Sequence, residues 1–311
     1  MKTIAIGVDI GGSHISCAAC DLLEKKFLPG TCSENKIDNQ GTAEEIIKVW
    51  AQTLQETIKK TSSDNIAGIG FAMPGPFDYV NGIALFKGTV KKYESLYGLN
   101  IPILLRKALG FPEDFPFRFI NDATAFAIGE DWIGKAMGTK KSLSITLGTG
   151  FGSAFLNNHM PIVSGDTVPE LGCVYHLHFE NGTADDYFST RGLLNRYFLK
   201  TGKQLSGVKE LAQLAINDQI AKKLFVDFGS KLGAFLKPWI EKSGVEILII
   251  GGNISLAFSL FGEYLNEYLK ENGANIRIEV SELKETASMI GSSVLADNNY
   301  YERIVPLLAK M

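Results

Sequence analysis

A two-domain α/β architecture with mixed sheets is what this 311-residue sequence predicts, on three observations. Short apolar runs of strand length alternate along the chain with segments of helical periodicity, the pattern of parallel strands joined through helices. Two of the runs lead through a glycine turn into a second strand, at residues 4–21 and 142–156, which adds antiparallel hairpins to those sheets. The second hairpin echoes the first, the mark of a duplicated architecture in a chain long enough for two cores.

Each element has its own signal. Residues 4–9 form a buried strand, Gly11-Gly12 a tight turn, and residues 14–21 the returning strand. Thr42 with Glu45 makes a capping box, and Ala43, Ile46, Ile47, Trp50, Leu54 and Ile58 recur on one face, so a helix covers 42–61. Residues 66–71 are a buried strand, stopped by Pro74-Gly75-Pro76, which neither a helix nor a central strand accepts. Residues 117–120 lead into Asn121-Asp122-Ala123-Thr124-Ala125 and a helix to about Gly134. Residues 142–147 are a strand, Gly148-Thr149-Gly150-Phe151-Gly152 a turn, and 153–156 a strand. A long helical region spans 208–241. A core strand at 245–250, Gly251-Gly252-Asn253, a helix at 255–271 and a last strand at 276–280 follow. No low-complexity linker separates the halves, and motif order places residues 1–120 with 293–311 in a smaller domain and 121–292 in a larger one.

Composition narrows the function. With 45% hydrophobic and 21% charged residues and a net charge of −3, the chain has no basic field for nucleic acid. No segment reaches the ~18–20 apolar residues of a membrane span, and Met1-Lys2-Thr3 runs directly into the first strand without a signal-peptide core, so a cytoplasmic protein is expected. Four dispersed cysteines, Cys17, Cys20, Cys32 and Cys173, make no disulfide framework. Cys17 and Cys20 form a C-x-x-C pair, but strand alternation sends them to opposite faces.

Three motifs carry chemistry. In Asp9-Ile10-Gly11-Gly12-Ser13, a carboxylate ends a strand before glycines whose amides can approach phosphate oxygens, and the carboxylate can hold Mg²⁺ through water. A plain hairpin turn with a solvated Asp reads equally well. Thr146-Leu147-Gly148-Thr149-Gly150-Phe151-Gly152 offers a second cradle, but it is neither a Walker A nor a Rossmann fingerprint. Asp122 begins a helix, as an ordinary N-cap does, and such a carboxylate near a cleft is also what phosphoryl transfer to an alcohol needs as general base.

Taken with Pro74-Gly75-Pro76, Glu170-Leu171-Gly172 and Gly251-Gly252, these motifs in this order resemble the ROK family of sugar kinases and related repressors, within the actin and hexokinase-like ATPase superfamily. The resemblance spans nearly the whole chain. It implies a two-domain actin-like ATPase (ribonuclease H-like) fold with a central cleft, and an ATP-dependent kinase that phosphorylates a hexose hydroxyl. It further implies Asp122 as catalytic base, with Asn121, Glu170 and Asp185 on the sugar. Asp9 would sit near Mg²⁺. Gly11, Gly12, Ser13, Thr149 and Gly150 would meet the phosphates, and Gly251, Gly252 and Asn253 would lie by the nucleotide. A homodimer is also implied.

The chain departs from the family in two places. Glu170-Leu171-Gly172-Cys173 has cysteine where the family writes histidine, and residues 174–192 contain no cysteine, so no structural zinc site is expected. His176 is a stand-in contact to the sugar, or His176 and His178 are ordinary strand residues. Lys87-Gly88-Thr89-Val90-Lys91-Lys92-Tyr93 replaces an asparagine-rich sugar loop, which leaves the sugar open: glucose by default, another hexose or an N-acetylhexosamine otherwise. Lys91 and Lys92 suit a negatively charged substrate or are simply solvated. The main alternative is a sugar-binding regulatory protein without turnover. A repressor is not expected, because the chain begins at the first strand with no room for a helix-turn-helix.

Overall fold

The computed structural model describes residues 3–61, 65–88 and 92–311, so Met1, Lys2, Ser62, Ser63, Asp64, Thr89, Val90 and Lys91 lie outside the described residues. Strands β1 (Ile4–Ile10), β2 (His14–Asp21) and β3 (Lys26–Lys36) are followed by helix α1 (Ala43–Thr61) and β4 (Ile66–Met73). The short strands β5 (Phe77–Asp78) and β6 (Ile83–Ala84), helix α2 (Ile101–Leu109), β7 (Phe117–Asn121) and α3 (Asp122–Ile133) come next. Then come β8 (Lys141–Leu147), β9 (Phe151–Asn157), β10 (Met160–Pro161), β11 (His178–Phe179) and β12 (Gly182–Thr183). Helices α4 (Ala184–Phe188), α5 (Thr190–Thr201), α6 (Val208–Leu214) and α7 (Gln219–Ser243) lead to β13 (Ile247–Gly251), α8 (Phe258–Glu271) and β14 (Arg277–Val280). The chain closes with α9 (Thr286–Ser293) and α10 (Asn298–Leu308).

Two compact units result, one from Met1–Gly134 with Glu285–Met311, the other from Lys135–Lys284. Helices α3 and α9 both belong to the first, where motif order suggests dividing the chain at 120/121 and 292/293. Each unit carries a five-stranded mixed sheet, ordered β3-β2-β1-β4-β7 in the first and β10-β9-β8-β13-β14 in the second. The plans match: an antiparallel hairpin on one side, then two parallel strands. The sequence echo between the two glycine hairpins is thus an echo of whole sheets.

Burial follows the position of each strand. The central strands β4 and β13 are buried almost throughout, and read as unbroken apolar runs because both sheet faces are covered. Cys17 and Cys20, on β2, are likewise fully buried. Strand β3 has no counterpart among the sequence expectations. It is an edge strand in which buried Thr31 and Ser33 replace the usual apolar residues. The single helix expected over 208–241 is two, because Asp218 caps α7 by accepting from the amides of Ile220 and Ala221. Helices α2, α5 and α10 had no sequence expectation.

In the first unit, α9 reaches the sheet backbone to backbone. A Cβ placed on Gly7 of β1 would lie 1.7 Å from the Met289 carbonyl oxygen, and one on Gly70 of β4 1.8 Å from that of Ser292. Helix α3 is locked to α9 in the same way: a Cβ on Gly129 would meet the Ala287 oxygen at 2.0 Å, and one on Gly291 the Ala125 oxygen at 1.8 Å. The Ser292 hydroxyl accepts from the Val8 amide at 3.1 Å and donates to the Val8 carbonyl at 3.2 Å, stitching helix to strand. Since no side chain can yield at these contacts, Gly129→Ala is expected to cost upwards of about 3 kcal/mol, the upper range for an overpacked core. Thermal unfolding checks this, with Gly30→Ala, whose Cβ would meet nothing within 4 Å, expected to leave Tm unchanged.

Candidate active site

In the first unit the candidate residues lie at one end of the sheet. Asp9, next to last in β1, pairs in register with Ala72 of β4, while Met73 pairs with Asn121 at the end of β7. The carboxyl ends of these parallel strands therefore bring Asp9 and Asn121-Asp122 together across two strand spacings, about 10 Å. This is the edge of an open α/β sheet where ligands are ordinarily held.

The expectation that Asp122 caps its helix is corrected in detail. The cap of α3 is Asn121, whose Oδ1 accepts from the Thr124 amide at 3.2 Å. Asp122 is the first helical residue, and among the described residues the hydrogen bonds it accepts fall on Oδ1, from the Ala123 amide at 2.8 Å and Asn121 Nδ2 at 3.1 Å. Asn121 Nδ2 also approaches the Tyr79 hydroxyl at 3.4 Å, and that hydroxyl donates to the Met73 carbonyl at 3.2 Å. Asn121 thus caps the helix with its Oδ1 and orients Asp122 with its Nδ2.

Asp9 and Asp122 keep partial surface exposure, yet protein packs closely enough around both to disfavour their charged forms. Asp9 is pushed up to about 7, first by burial and then by the charges of Asp122 and Glu285. Burial also raises Asp122, against the lowering effect of its hydrogen bonds and of Lys92. Sequence reading passed over Glu285, which precedes α9 without any motif. Asp122 and Glu285 thus both bear on Asp9, the carboxylate beside the first glycine turn.

The Gly11-Gly12 turn is closed by a bond from the Gly11 amide to the His14 carbonyl at 2.9 Å. Around it, Asn39 Nδ2 donates to the Gly12 carbonyl, and the Tyr93 hydroxyl donates to that of Gly11 at 2.6 Å. Ser13 is exposed, with its hydroxyl 2.6 Å from His14 Nδ1.

The second unit repeats the arrangement at the end of its own sheet. Gly251 of β13 pairs with Thr146 of β8, and a Cβ on Gly252 would lie 2.4 Å from the Leu147 carbonyl oxygen. Gly252, at φ +80°, therefore sits tight against the strand that enters the second hairpin, where Thr149 and Gly150 are exposed, as is Asn253. Asp185, expected on the sugar, fastens this hairpin: its Oδ1 accepts from the Phe151 amide at 2.7 Å, and its Oδ2 from Arg191 at 3.2 Å. Glu170 is exposed, opening a 3₁₀ turn in which Leu171 and Gly172 both take φ +63°. A Cβ on Gly172 would strike the Ile162 carbonyl oxygen at 2.1 Å, which makes glycine obligatory there. Cys173 Sγ lies 3.8 Å from His176 Nδ1, and burial pushes the thiol up to about 11, so it is a neutral neighbour. His178 pairs with Thr183 in the β11–β12 hairpin. No group of three or more His, Cys, Asp or Glu suited to a metal occurs among the described residues.

Comparison with known proteins points one way. The family model described as ROK family matches residues 5–299. A glucokinase from Thermotoga maritima is 27% identical, over 94% of this chain and 96% of its own length. A xylose repressor from Caldicellulosiruptor bescii is 22% identical, over 92% of this chain and 76% of its own. The crystal structure of a ROK family glucokinase from Streptomyces griseus in complex with glucose and AMPPNP superposes with a TM-score of 0.73 at 20% identity, covering 94% and 98% of the two chains.

The folded-state value of Asp9 lies above the unfolded value of 3.8, so the stability it contributes is present in acid and is lost as pH rises through about 7. With chelator present and no nucleotide, Asp9→Asn should therefore melt above wild type at pH 8. The gap should narrow steadily as the pH is lowered toward 4, as calorimetry at several pH values would show.

Proposed function

The chain belongs to the ROK family, and on that premise we propose that it is an ATP-dependent sugar kinase, transferring the γ-phosphoryl group to a hydroxyl of a hexose. The observation that carries this reading is the handling of Asp122. A neighbour caps the helix in its place, two donors fix one of its oxygens, and its surroundings raise its proton affinity. Those are the requirements of a general base that must hold a sugar hydroxyl and accept its proton as the phosphorus is attacked.

Asp122 takes the hydroxyl proton, and Asn121 keeps its carboxylate aimed. The Gly11-Gly12 amides, with Thr149, Gly150 and Gly251-Gly252-Asn253, bind the nucleotide, whose phosphates a Mg²⁺ at Asp9 would neutralise. Glu170 and His176 contact the sugar, and Asp185 acts through the second hairpin as well as on the sugar. Glucose is the first candidate, supported by the likeness to the Thermotoga maritima glucokinase, with other hexoses and N-acetylhexosamines next. The protein works as a cytoplasmic homodimer in this reading. A second reading, a sugar-responsive regulator without turnover, draws on Cys173 in place of the family histidine and on the likeness to a xylose repressor.

A coupled ADP-release assay with ATP, Mg²⁺ and a panel of hexoses, N-acetylhexosamines and polyols separates the two. Sugar-dependent release is expected, with Asp122→Asn lowering kcat at least about 10²-fold while calorimetric sugar affinity stays near wild type. Sugar binding without ADP release by the wild type would instead establish the regulator.

A further inference from the structure

Lys92 lies in the segment where the chain departs from its family, an exposed lysine beside a firmly anchored residue. The next residue, Tyr93, is fully buried at φ +59°. Its ring packs edge-on to Trp50 at 5.9 Å and against Phe86 at 5.7 Å. Its amide donates to the Asn39 carbonyl at 2.7 Å, and its hydroxyl to the Gly11 carbonyl at 2.6 Å. Asn39 in turn donates to the Gly12 carbonyl, so loop and glycine turn are tied directly through Tyr93 and a second time through Asn39.

That anchoring lays the Lys92 side chain over Gly12. A Cβ on Gly12 would lie 2.7 Å from Lys92 Nζ, 3.2 Å from Cε and 3.7 Å from Cδ, so the end of the lysine rests against the glycine turn. On its other side the ammonium is near enough to Asp122 to favour the carboxylate. Yet Lys92 makes no ion pair with any described carboxylate, although Asp9, Asp122 and Glu285 all bear on this end of the sheet. An ammonium lying against the Gly11-Gly12 turn, close enough to Asp122 to act on its charge, is suited to a group that carries several anionic oxygens and passes between the two.

We propose that Lys92 is a catalytic residue that donates hydrogen bonds to the oxygens of the phosphoryl group in transit from ATP to the sugar. The proposal rests on the kinase reading above. As the sugar oxygen bonds to the γ-phosphorus, the bond to the bridging oxygen breaks and its electron pair leaves with ADP. The hydroxyl proton goes to Asp122. Lys92 keeps its own proton throughout, and its charge opposes that of the equatorial oxygens. The lysine therefore serves a neutral sugar, and no acidic group on the substrate is required to explain it.

The test compares Lys92→Met and Lys92→Arg with wild type by calorimetry against AMPPNP and ADP, each with Mg²⁺, and by ADP release with a neutral hexose. Lys92→Met should bind AMPPNP about tenfold more weakly, the loss expected for one charge-assisted hydrogen bond, with ADP affinity unchanged. Its kcat should fall about 10²-fold or more, with partial recovery in Lys92→Arg, at an unaltered Tm. Equal effects on the two nucleotides, or none, would overturn the proposal while leaving the kinase reading in place. So would a loss confined to hexoses bearing a carboxylate or phosphate. If the wild type turns over no sugar, the kinase reading fails and this proposal falls with it. A wild type that binds neither nucleotide overturns both.

Discussion

The first unit depends on one physical constraint, the direct contact of the α9 backbone with the backbones of β1, β4 and α3. Gly7, Gly70, Gly129 and Gly291 allow it, since each faces a carbonyl oxygen across a gap that no Cβ could enter. Close-packed interiors transmit rather than absorb displacement, so the height of α9 above the sheet fixes where β1 ends and where α3 begins. Asp9 lies at the first of those points and Asp122 at the second. Because Glu285 stands at the entrance to α9, the same contact brings a third carboxylate to bear on Asp9.

Electrostatic cost at this end of the sheet is high for a structure that had only to be stable. Repulsion and burial raise Asp9 to about 7 and lift Asp122 as well. Perturbed carboxylates of this kind cluster at functional sites more often than at purely structural ones. The second unit solves a different problem. The tip of its hairpin, Thr149 and Gly150, is exposed, and Asp185 braces it by accepting from the Phe151 amide and pairing with Arg191.

Much of this was legible in the chain. The central strands could be read because double-sided burial makes their apolar runs continuous, and α1 because its capping box and apolar stripe agree, with Thr42 and Glu45 exchanging the expected bonds. β3 was not legible, since its partly exposed residues and the Pro29-Gly30 pair carry no alternation. The break between α6 and α7 was missed because Ile216-Asn217-Asp218 contains neither glycine nor proline. Helix α2 carries local signals, Asn100 and Pro102 at its start and Gly110 at its end, but its nine residues open on an apolar run too short to show a helical period.

What the sequence by itself determined is the set of chemical groups and their order: the carboxylates, the two glycine hairpins, the double glycine after β13, and the departures at Cys173 and around Lys92. These are local, for a glycine turn or a carboxylate at a strand end declares itself within a few residues. Only the tertiary structure decided which residue caps α3, that Asp185 braces a hairpin, that Glu285 acts on Asp9, and that Lys92 lies over Gly12. Each of those joins residues far apart in the chain or chooses between neighbours of similar chemistry. Such choices are made by packing and burial, and neither exists until the chain has folded.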